Sequence, residues 1–111
     1  MPDDCLFCRL VRGEIPATVV RETDDTVAFR DIAPKAPVHV LVVPRTHHAN
    51  VADLAADPAL TAKVVAEAAE VARAEGIGEG WRLVFNTGEA VGQTVFHVHA
   101  HVLGGGPIES L

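Results

Sequence analysis

The sequence predicts an α+β fold in which two helices cover a five-stranded, mostly antiparallel β-sheet. Two observations favour this class: segments of strand composition cluster early and late in the chain, and one long segment between them has the apolar spacing of an amphipathic helix. The chain has 111 residues, of which 49% are hydrophobic, so it has the length of one domain and enough apolar residues for a core. We therefore expect residues 1–111 to form a single domain.

The first half of the chain is predicted to contain one short helix and three strands. Residues 5–12 fit a helix that Gly13 ends. Three segments have strand composition: residues 19–22, 26–32 and 38–43. The third strand is apolar on both faces except at His39, and Pro44 stops it. A polar ring in such a strand needs a hydrogen-bonding partner.

The longest helix is predicted over residues 58–75, with Asp57 as its N-cap, Pro58 at its first position and Gly76 as its stop. Its apolar stripe consists of Leu60, Val64, Ala68 and Val71. Its outer face is expected to carry Lys63, Glu67, Glu70 and Arg73, which can pair along the helix. Two further strands, over residues 81–86 and 95–103, flank a glycine-bearing loop at 87–94.

Charge and composition limit the classes of partner. The formal net charge of −6 argues against broad binding to nucleic acid or to an anionic membrane surface, because both need a basic face. No apolar run approaches the length of a transmembrane helix, and the acidic start lacks the features of a signal peptide. We expect a cytoplasmic protein that contacts neither membrane nor nucleic acid and holds any nucleotide in a local pocket.

The most informative segment is 96–102, in which His97, His99 and His101 alternate with apolar residues. Alternate residues of a strand share a face and lie about 6.5–7 Å apart, so the three rings would line one face. At this spacing two adjacent histidines could easily bind one metal ion, whereas all three could do so only with strain. We favour a division of labour, in which one histidine holds structure and the others do chemistry, over a satisfied cluster without chemistry. The loop before the strand can turn N–H groups toward an anion, and His39 would find its partner on this strand.

These residues resemble a known family. Residues 97–103 are similar to the His-x-His-x-His signature of the histidine-triad (HIT) superfamily. Four more segments match its pattern: residues 13–17, 28–32, 36–39 and 92–96. The resemblance covers the chain from Cys5 to about Gly105 and is strongest to the Hint branch, whose members hydrolyse purine nucleoside phosphoramidates.

The resemblance implies a covalent mechanism. His99 would attack the α-phosphorus and form a nucleotidyl-histidine that water then resolves. His101 would contact the phosphate, His39 would set the protonation of the triad, and the Thr94 hydroxyl would give a proton to the leaving amine. A neutral imidazole suits the nucleophile because its unperturbed pKa lies near 6.5.

The resemblance also implies a nucleotide site with an apolar slot for the base and a carboxylate, Asp31, for the ribose hydroxyls. The expected slot consists of Leu6, Phe7, Leu10, Phe29 and Ile32. The phosphate and leaving-group side would be formed by Asn86, Gly92, Gln93, Thr94, Val95, His99 and His101. The alternative for any one of these apolar residues is that it belongs to the hydrophobic core and does not contact a base.

The two cysteines, Cys5 and Cys8, are compatible with a redox pair, with idle thiols, or with half of a zinc site that His47, His48 or His97 would complete. No thioredoxin-like pattern accompanies them. The resemblance implies a structural Cys₂His₂ zinc site made of Cys5, Cys8, His47 and His97, and no organic cofactor. His97 would then serve structure and leave the other two triad histidines for chemistry.

The expected function is therefore hydrolysis of AMP-type purine nucleoside phosphoramidates. The alternatives are a dinucleoside polyphosphate hydrolase and a purine-nucleotide-binding or interaction module with little turnover. The resemblance further implies a homodimer that joins two sheets into one of ten strands. The short tail after Leu103 lacks the Trp-containing ending of animal Hint proteins, which leaves the preferred leaving group open.

Overall fold

The structure is a computed structural model that describes residues 4–109. Within these residues there are three α-helices: α1 (Leu6–Val11), α2 (Val51–Leu54) and α3 (Pro58–Ala74). Five strands form one sheet: β1 (Val19–Glu22), β2 (Thr26–Arg30), β3 (Val38–Pro44), β4 (Trp81–Val84) and β5 (Ala100–Gly104). The predicted fold class is confirmed. The first three residues of the acidic start and the last two of the tail lie outside the described residues.

The strand order is β1-β2-β3-β5-β4, and every neighbouring pair is antiparallel. Strand β3 is buried on both faces: Val40 and Val42 belong to the apolar cluster that packs against α3, whereas Leu41 and Val43 belong to a second cluster with Phe7 of α1. This two-sided burial explains why the strand is apolar at almost every position. His39 lies on the same face as Leu41, which is the α1 face.

The prediction of two helices missed α2, a single turn. Asn50 caps it, because its side chain accepts a hydrogen bond from the Asp53 N–H at 3.0 Å. A segment of four residues is too short for an apolar period to show. None of the helices within residues 4–109 is long and apolar enough to cross a membrane.

The predicted limits of three strands were too wide. Strand β2 ends at Arg30 rather than at residue 32, and β4 ends at Val84 rather than at residue 86. The largest error concerns β5, which begins at Ala100 rather than at residue 95. Residues 95–99 leave the ladder because the Val98 N–H bonds to the carbonyl of His48 at 2.7 Å, outside the sheet. His97 and His99 therefore precede the strand, and only His101 belongs to it.

The placement of Glu67 on the outer face of α3 was wrong. Its side chain is 7% exposed, and both its carboxylate oxygens accept hydrogen bonds from Arg21 of β1, at 2.9 and 3.1 Å. The other expected pairing along the helix is present, since Arg73 and Glu70 form an ion pair. Lys63 instead reaches Asp25 in the β1–β2 turn.

Candidate functional site

The histidines meet on the α1 face of the sheet. In the β3–β5 ladder His101 lies opposite Leu41, and His39 lies opposite Leu103, so the two histidines are diagonal neighbours on one face. Their rings are joined by a hydrogen bond of 2.9 Å between His39 Nε2 and His101 Nδ1. His101 is therefore the hydrogen-bonding partner that the sequence predicted for His39.

The backbone fixes which ring nitrogens carry protons. The Lys35 N–H donates to Nδ1 of His39 at 3.0 Å, so that nitrogen holds a lone pair and the proton of the neutral ring lies on Nε2. This Nε2–H then donates to Nδ1 of His101. The proton of neutral His101 must consequently lie on its Nε2. We call this sequence of bonds, from the Lys35 amide through His39 to His101, the imidazole relay.

Nε2 of His101 is buried and, among residues 4–109, has no hydrogen-bonding partner. A buried donor left unpaired costs about 1–3 kcal/mol, so such groups call for an explanation. At the end of the imidazole relay, this N–H is a donor that an acceptor on a ligand would satisfy.

His99 has the opposite tautomer. Its Nδ1 lies 2.8 Å from the carbonyl oxygen of His97, and since a carbonyl can only accept, Nδ1 carries the proton. Nε2 of His99 is left with a lone pair. The His99 and His101 rings have centroids 4.9 Å apart, so the ring with the free lone pair and the ring with the unpaired donor are neighbours.

Burial keeps these rings neutral. The pKa of His101 is lowered to about 4, chiefly by burial and then by the neighbouring His99 and His39, while Asp31 acts in the opposite direction. Burial also lowers the pKa of His39 and that of His99. At neutral pH the site therefore presents uncharged imidazoles.

Asp31 lies at the edge of this group and is half-buried. Its Oδ1 accepts the Ala33 N–H at 2.7 Å, and its Oδ2 lies 3.5 Å from Nε2 of His39. Asp31, His39 and His101 are close enough to share an ion. A metal on His39 Nε2 would, however, leave that ring without a proton on either nitrogen, because its Nδ1 already accepts a backbone N–H. This donor set suits proton placement better than metal binding.

A second group of side chains has the chemistry of a metal site. The candidate ligand atoms of Cys5, Cys8, His47 and His97 all lie within 4.8 Å of one another. Nδ1 of His97 lies 3.5 Å from the Cys5 sulfur and 3.4 Å from the Cys8 sulfur, and Nδ1 of His47 lies 3.4 Å from the Cys8 sulfur. Tetrahedral zinc, with bonds of about 2.3 Å to sulfur and about 2.0 Å to nitrogen, would place these atoms about 3.5 Å apart.

The surroundings of this cluster also fit a cation. Nε2–H of His97 donates to the carbonyl of Pro44 at 2.8 Å, which leaves the Nδ1 lone pair facing the two sulfurs. His97 is fully buried, and burial lowers its pKa to about 4, so the ring is neutral. Burial and the adjacent Cys5 raise the pKa of the Cys8 thiol to about 11 when no cation is present. A divalent ion would offset both thiolates.

The predicted apolar slot is only partly assembled. The Phe7 and Phe29 rings meet edge to face at 5.3 Å, but both are buried, with 6% and 4% exposure. Leu10 is half-buried beside them, whereas Leu6 and Ile32 are exposed. Leu6 lines a groove of about 440 Å³ that also includes Thr94 and Val95.

In the loop between β4 and residue 95, the Gln93 side chain points inward. Its amide nitrogen donates to the carbonyls of Ala49 and Val95, and its oxygen accepts the Gly88 N–H at 2.9 Å. The Gly92 N–H is also used inside the loop. Gln93 thus shapes the loop rather than facing the histidines. Thr94 is exposed, and Asn86 is half-buried just beyond β4.

Three contributors to the site were missed by sequence reasoning: the Lys35 amide and the carbonyls of His97 and Pro44. All are backbone groups: every residue has a carbonyl, and every residue except proline has an N–H. Only the course of the chain brings them to the rings, so no sequence signal identifies them.

Comparisons with known proteins find relatives along nearly the whole chain. The HIT domain family model matches residues 12–108. A HIT-like protein of Synechococcus elongatus is 47% identical over 95% of this chain and 93% of its own. A purine nucleoside phosphoramidase of Escherichia coli is 40% identical over 97% of this chain and 92% of its own. The crystal structure of a HIT family hydrolase from Legionella pneumophila superposes with a TM-score of 0.90 at 48% identity, over 94% of this chain and 95% of that one.

Proposed function

This chain belongs to the HIT domain family, and on that premise we propose that it hydrolyses the P–N bond of purine nucleoside phosphoramidates at the α-phosphorus. The observation that carries the proposal is the pairing of His99, whose Nε2 holds a lone pair, with His101, whose Nε2–H is buried and unpartnered. A nucleophile beside an unpaired donor suits a phosphoryl centre with an anionic oxygen. The name of the Escherichia coli relative supports the substrate class.

In the first step the Nε2 lone pair of His99 attacks the α-phosphorus, and the P–N bond breaks with its electron pair on the amine nitrogen. That nitrogen takes a proton, for which we assign the Thr94 hydroxyl as donor. His99 then carries the nucleotidyl group on Nε2 and a proton on Nδ1, so its ring is cationic. Its bond to the His97 carbonyl, 2.8 Å in the free protein, thereby becomes charge-assisted and stabilises the transition state more than the ground state.

In the second step a water oxygen attacks the phosphorus and gives its proton to the Thr94 oxygen, which restores the hydroxyl spent in the first step. The bond between phosphorus and Nε2 breaks, and its electrons return to His99 as the lone pair. His101 donates its Nε2–H to a phosphate oxygen in both steps, and the imidazole relay keeps that proton in place. The products are the free amine and an AMP-type nucleotide.

The remaining contacts are assigned by chemistry. Asp31, at the edge of the histidine group, accepts hydrogen bonds from the ribose hydroxyls, and Leu10 with Ile32 contacts the base. Gly92 and Gln93 set the shape of the loop, so that Thr94 and Val95 reach the phosphate and leaving-group side together with Asn86. Phe29 is buried, and we therefore place it on the core side of the slot, where it supports the residues that contact the base.

For the cysteine–histidine cluster we propose a structural Zn²⁺. Two sulfurs and two ring nitrogens, from Cys5, Cys8, His47 and His97, are the donor set that tetrahedral zinc prefers. The ion would tie α1 to the segments that follow β3 and precede β5. It would contribute no step of the reaction.

The test is steady-state turnover of adenosine 5′-phosphoramidate, followed as release of AMP and ammonia. We expect His99→Ala to lose at least about a thousandfold in kcat/KM, because the covalent route is removed. His48→Ala is the control, since this half-buried ring bonds to Thr46 outside the site. Saturable AMP binding without turnover would instead indicate a binding module, and faster cleavage of diadenosine tetraphosphate would indicate a polyphosphate hydrolase.

A homodimer with a ten-stranded sheet remains a prediction. The edges of the sheet are β1 and β4, and each has one side without a strand partner in residues 4–109. Light scattering during size-exclusion chromatography should give twice the chain mass of 11.7 kDa. A mass of one chain would exclude the dimer.

A further inference from the structure

We propose that Phe7 is a positioning residue for the nucleophile, and that it connects occupancy of the metal site to the orientation of the His99 ring. This inference rests on the proposed function, because it assigns a supporting role within the same reaction. It concerns how the attacking nitrogen is held rather than how the nucleotide is bound.

The ring of Phe7 lies against the ring of His99. The Phe7 and His99 rings lie edge to face, with centroids 5.1 Å apart and an interplanar angle of 90°. On its other sides Phe7 meets Phe29 at 5.3 Å and His97 at 6.2 Å, both at 71°. Phe7 is therefore enclosed by three rings and has little freedom to move independently of them.

Burial decides between two roles for Phe7. A side chain that stacks on a purine must present its face to the pocket, yet Phe7 is only 6% exposed. Only a small edge of the ring is therefore accessible to a base in the slot. Its contact with His99 exists already in the free protein. The geometry thus favours support of the nucleophile.

Both supports of His99 belong to segments of the candidate metal site. The first is the carbonyl of His97, a residue whose Nδ1 faces the two sulfurs. The second is Phe7, which lies between Cys5 and Cys8 in the turn that presents both sulfurs. An ion bound by these ligands would fix the first turn of α1 and residue 97 relative to each other. The ring of His99 would then be held from two sides.

The kinetic test compares Phe7→Leu, which keeps an apolar side chain, with Phe7→Tyr, which keeps the ring. Val27→Ala is the matched control, because Val27 is 2% exposed in the same apolar cluster and takes no part in the proposed site. We expect Phe7→Leu to lower kcat between about tenfold and a hundredfold with KM within about twofold. We expect Phe7→Tyr to retain most of kcat. Melting temperatures identify any variant that fails to fold.

The second readout needs no turnover. Zn²⁺ is added to chelator-treated protein, and the ¹³C–¹H signals of the His99 ring are followed by NMR. We expect Zn²⁺ to sharpen these signals in the wild type, as the ring becomes ordered, and to leave them broad in Phe7→Leu. This measurement also covers the case in which a kinetic variant is poorly folded.

Two results would overturn the inference. One is a Phe7→Leu enzyme with a raised KM and an unchanged kcat, which would make Phe7 a binding residue. The other is a His99 signal that Zn²⁺ leaves unchanged in the wild type, or sharpens equally in Phe7→Leu. If the wild type itself shows no turnover, the proposed function fails, while the NMR comparison still decides whether Phe7 connects the metal to His99.

Discussion

Nδ1 of His99 lies 2.8 Å from the carbonyl oxygen of His97, so a residue of the candidate metal site holds the proton-bearing side of the candidate nucleophile. The bond fixes the tautomer of His99 and directs its lone pair to Nε2. The three histidines of the triad therefore have different roles. His97 belongs to the cysteine–histidine cluster, His99 presents a lone pair, and His101 presents an N–H. Each assignment leads to a measurable consequence.

Removing His39 should damage catalysis without removing a group that contacts the substrate. In His39→Ala the proton of His101 is free to occupy either nitrogen, because the Nδ1 acceptor has lost its 2.9 Å donor. We expect kcat/KM to fall by at least about a hundredfold, because a catalytic imidazole that loses the group fixing its tautomer loses activity. Imidazole ¹⁵N shifts should show His101 as a mixture of tautomers. An unchanged shift pattern would contradict the imidazole relay.

The pH dependence follows from the lowered pKa of His101, about 4 in the folded protein against about 6.5 in the unfolded chain. Between these values the unfolded chain binds a proton that the folded protein does not. The free energy of unfolding is therefore complete above pH 6.5 and falls as the pH drops toward 4. Urea titrations across this range measure the fall, and His101→Gln should make it shallower without abolishing it, because burial of the neutral His97 ring contributes over the same range. A stability that rises on acidification would contradict the burial of a neutral ring.

Zinc should stabilise the fold with a stoichiometry of one ion per chain. At a free Zn²⁺ concentration 100 times the dissociation constant, the folded state gains about 2.7 kcal/mol. Chelation should lower the melting temperature of the wild type, and Cys8→Ser should abolish the response to added zinc. Metal analysis by mass spectrometry gives the stoichiometry. If neither chelator nor zinc changes the melting temperature, the two cysteines are ordinary thiols and the proposed zinc site is wrong.

The ion pair between Arg21 and Glu67 should matter to stability but not to catalysis. Glu67 is 7% exposed and accepts two hydrogen bonds from Arg21, so Arg21→Ala leaves a buried carboxylate without its partner. The expected cost is about 3 kcal/mol in the free energy of unfolding. Arg73→Ala is the control, because its pair with Glu70 is exposed and should contribute less than about 1 kcal/mol. Similar losses in both variants would contradict this assignment.

Local sequence patterns predicted those features that depend on residues within a single helix or strand. The spacing of Val64, Ala68 and Val71 predicted α3, and all three are buried. The lone polar position in β3 predicted a partner for His39, and the structure supplies His101 at 2.9 Å. The spacing of Cys5 and Cys8 left a redox pair, idle thiols and half of a zinc site open. The resemblance pointed to the set Cys5, Cys8, His47 and His97, and the chain brings these four residues together.

Other features depend on contacts between distant segments and could not be predicted. Residues 95–99 alternate like a strand, but a hydrogen bond from Val98 to His48 takes them out of the sheet. Glu67 occupies a position that the helical period leaves at the edge of the apolar face, and only Arg21 on β1 makes its burial tolerable. The resemblance assigned Gln93 to the phosphate side, and the contacts of its side-chain amide with Gly88, Val95 and the distant Ala49 could not be read from the sequence.

Mass spectrometry of protein quenched during turnover of an adenosine phosphoramidate tests the central claim most directly. The proposed mechanism predicts a nucleotidyl adduct on one peptide, localised by fragmentation to His99 and absent from His99→Ala. An adduct on His101 or on Cys5, or steady turnover by the His99→Ala protein, would contradict it.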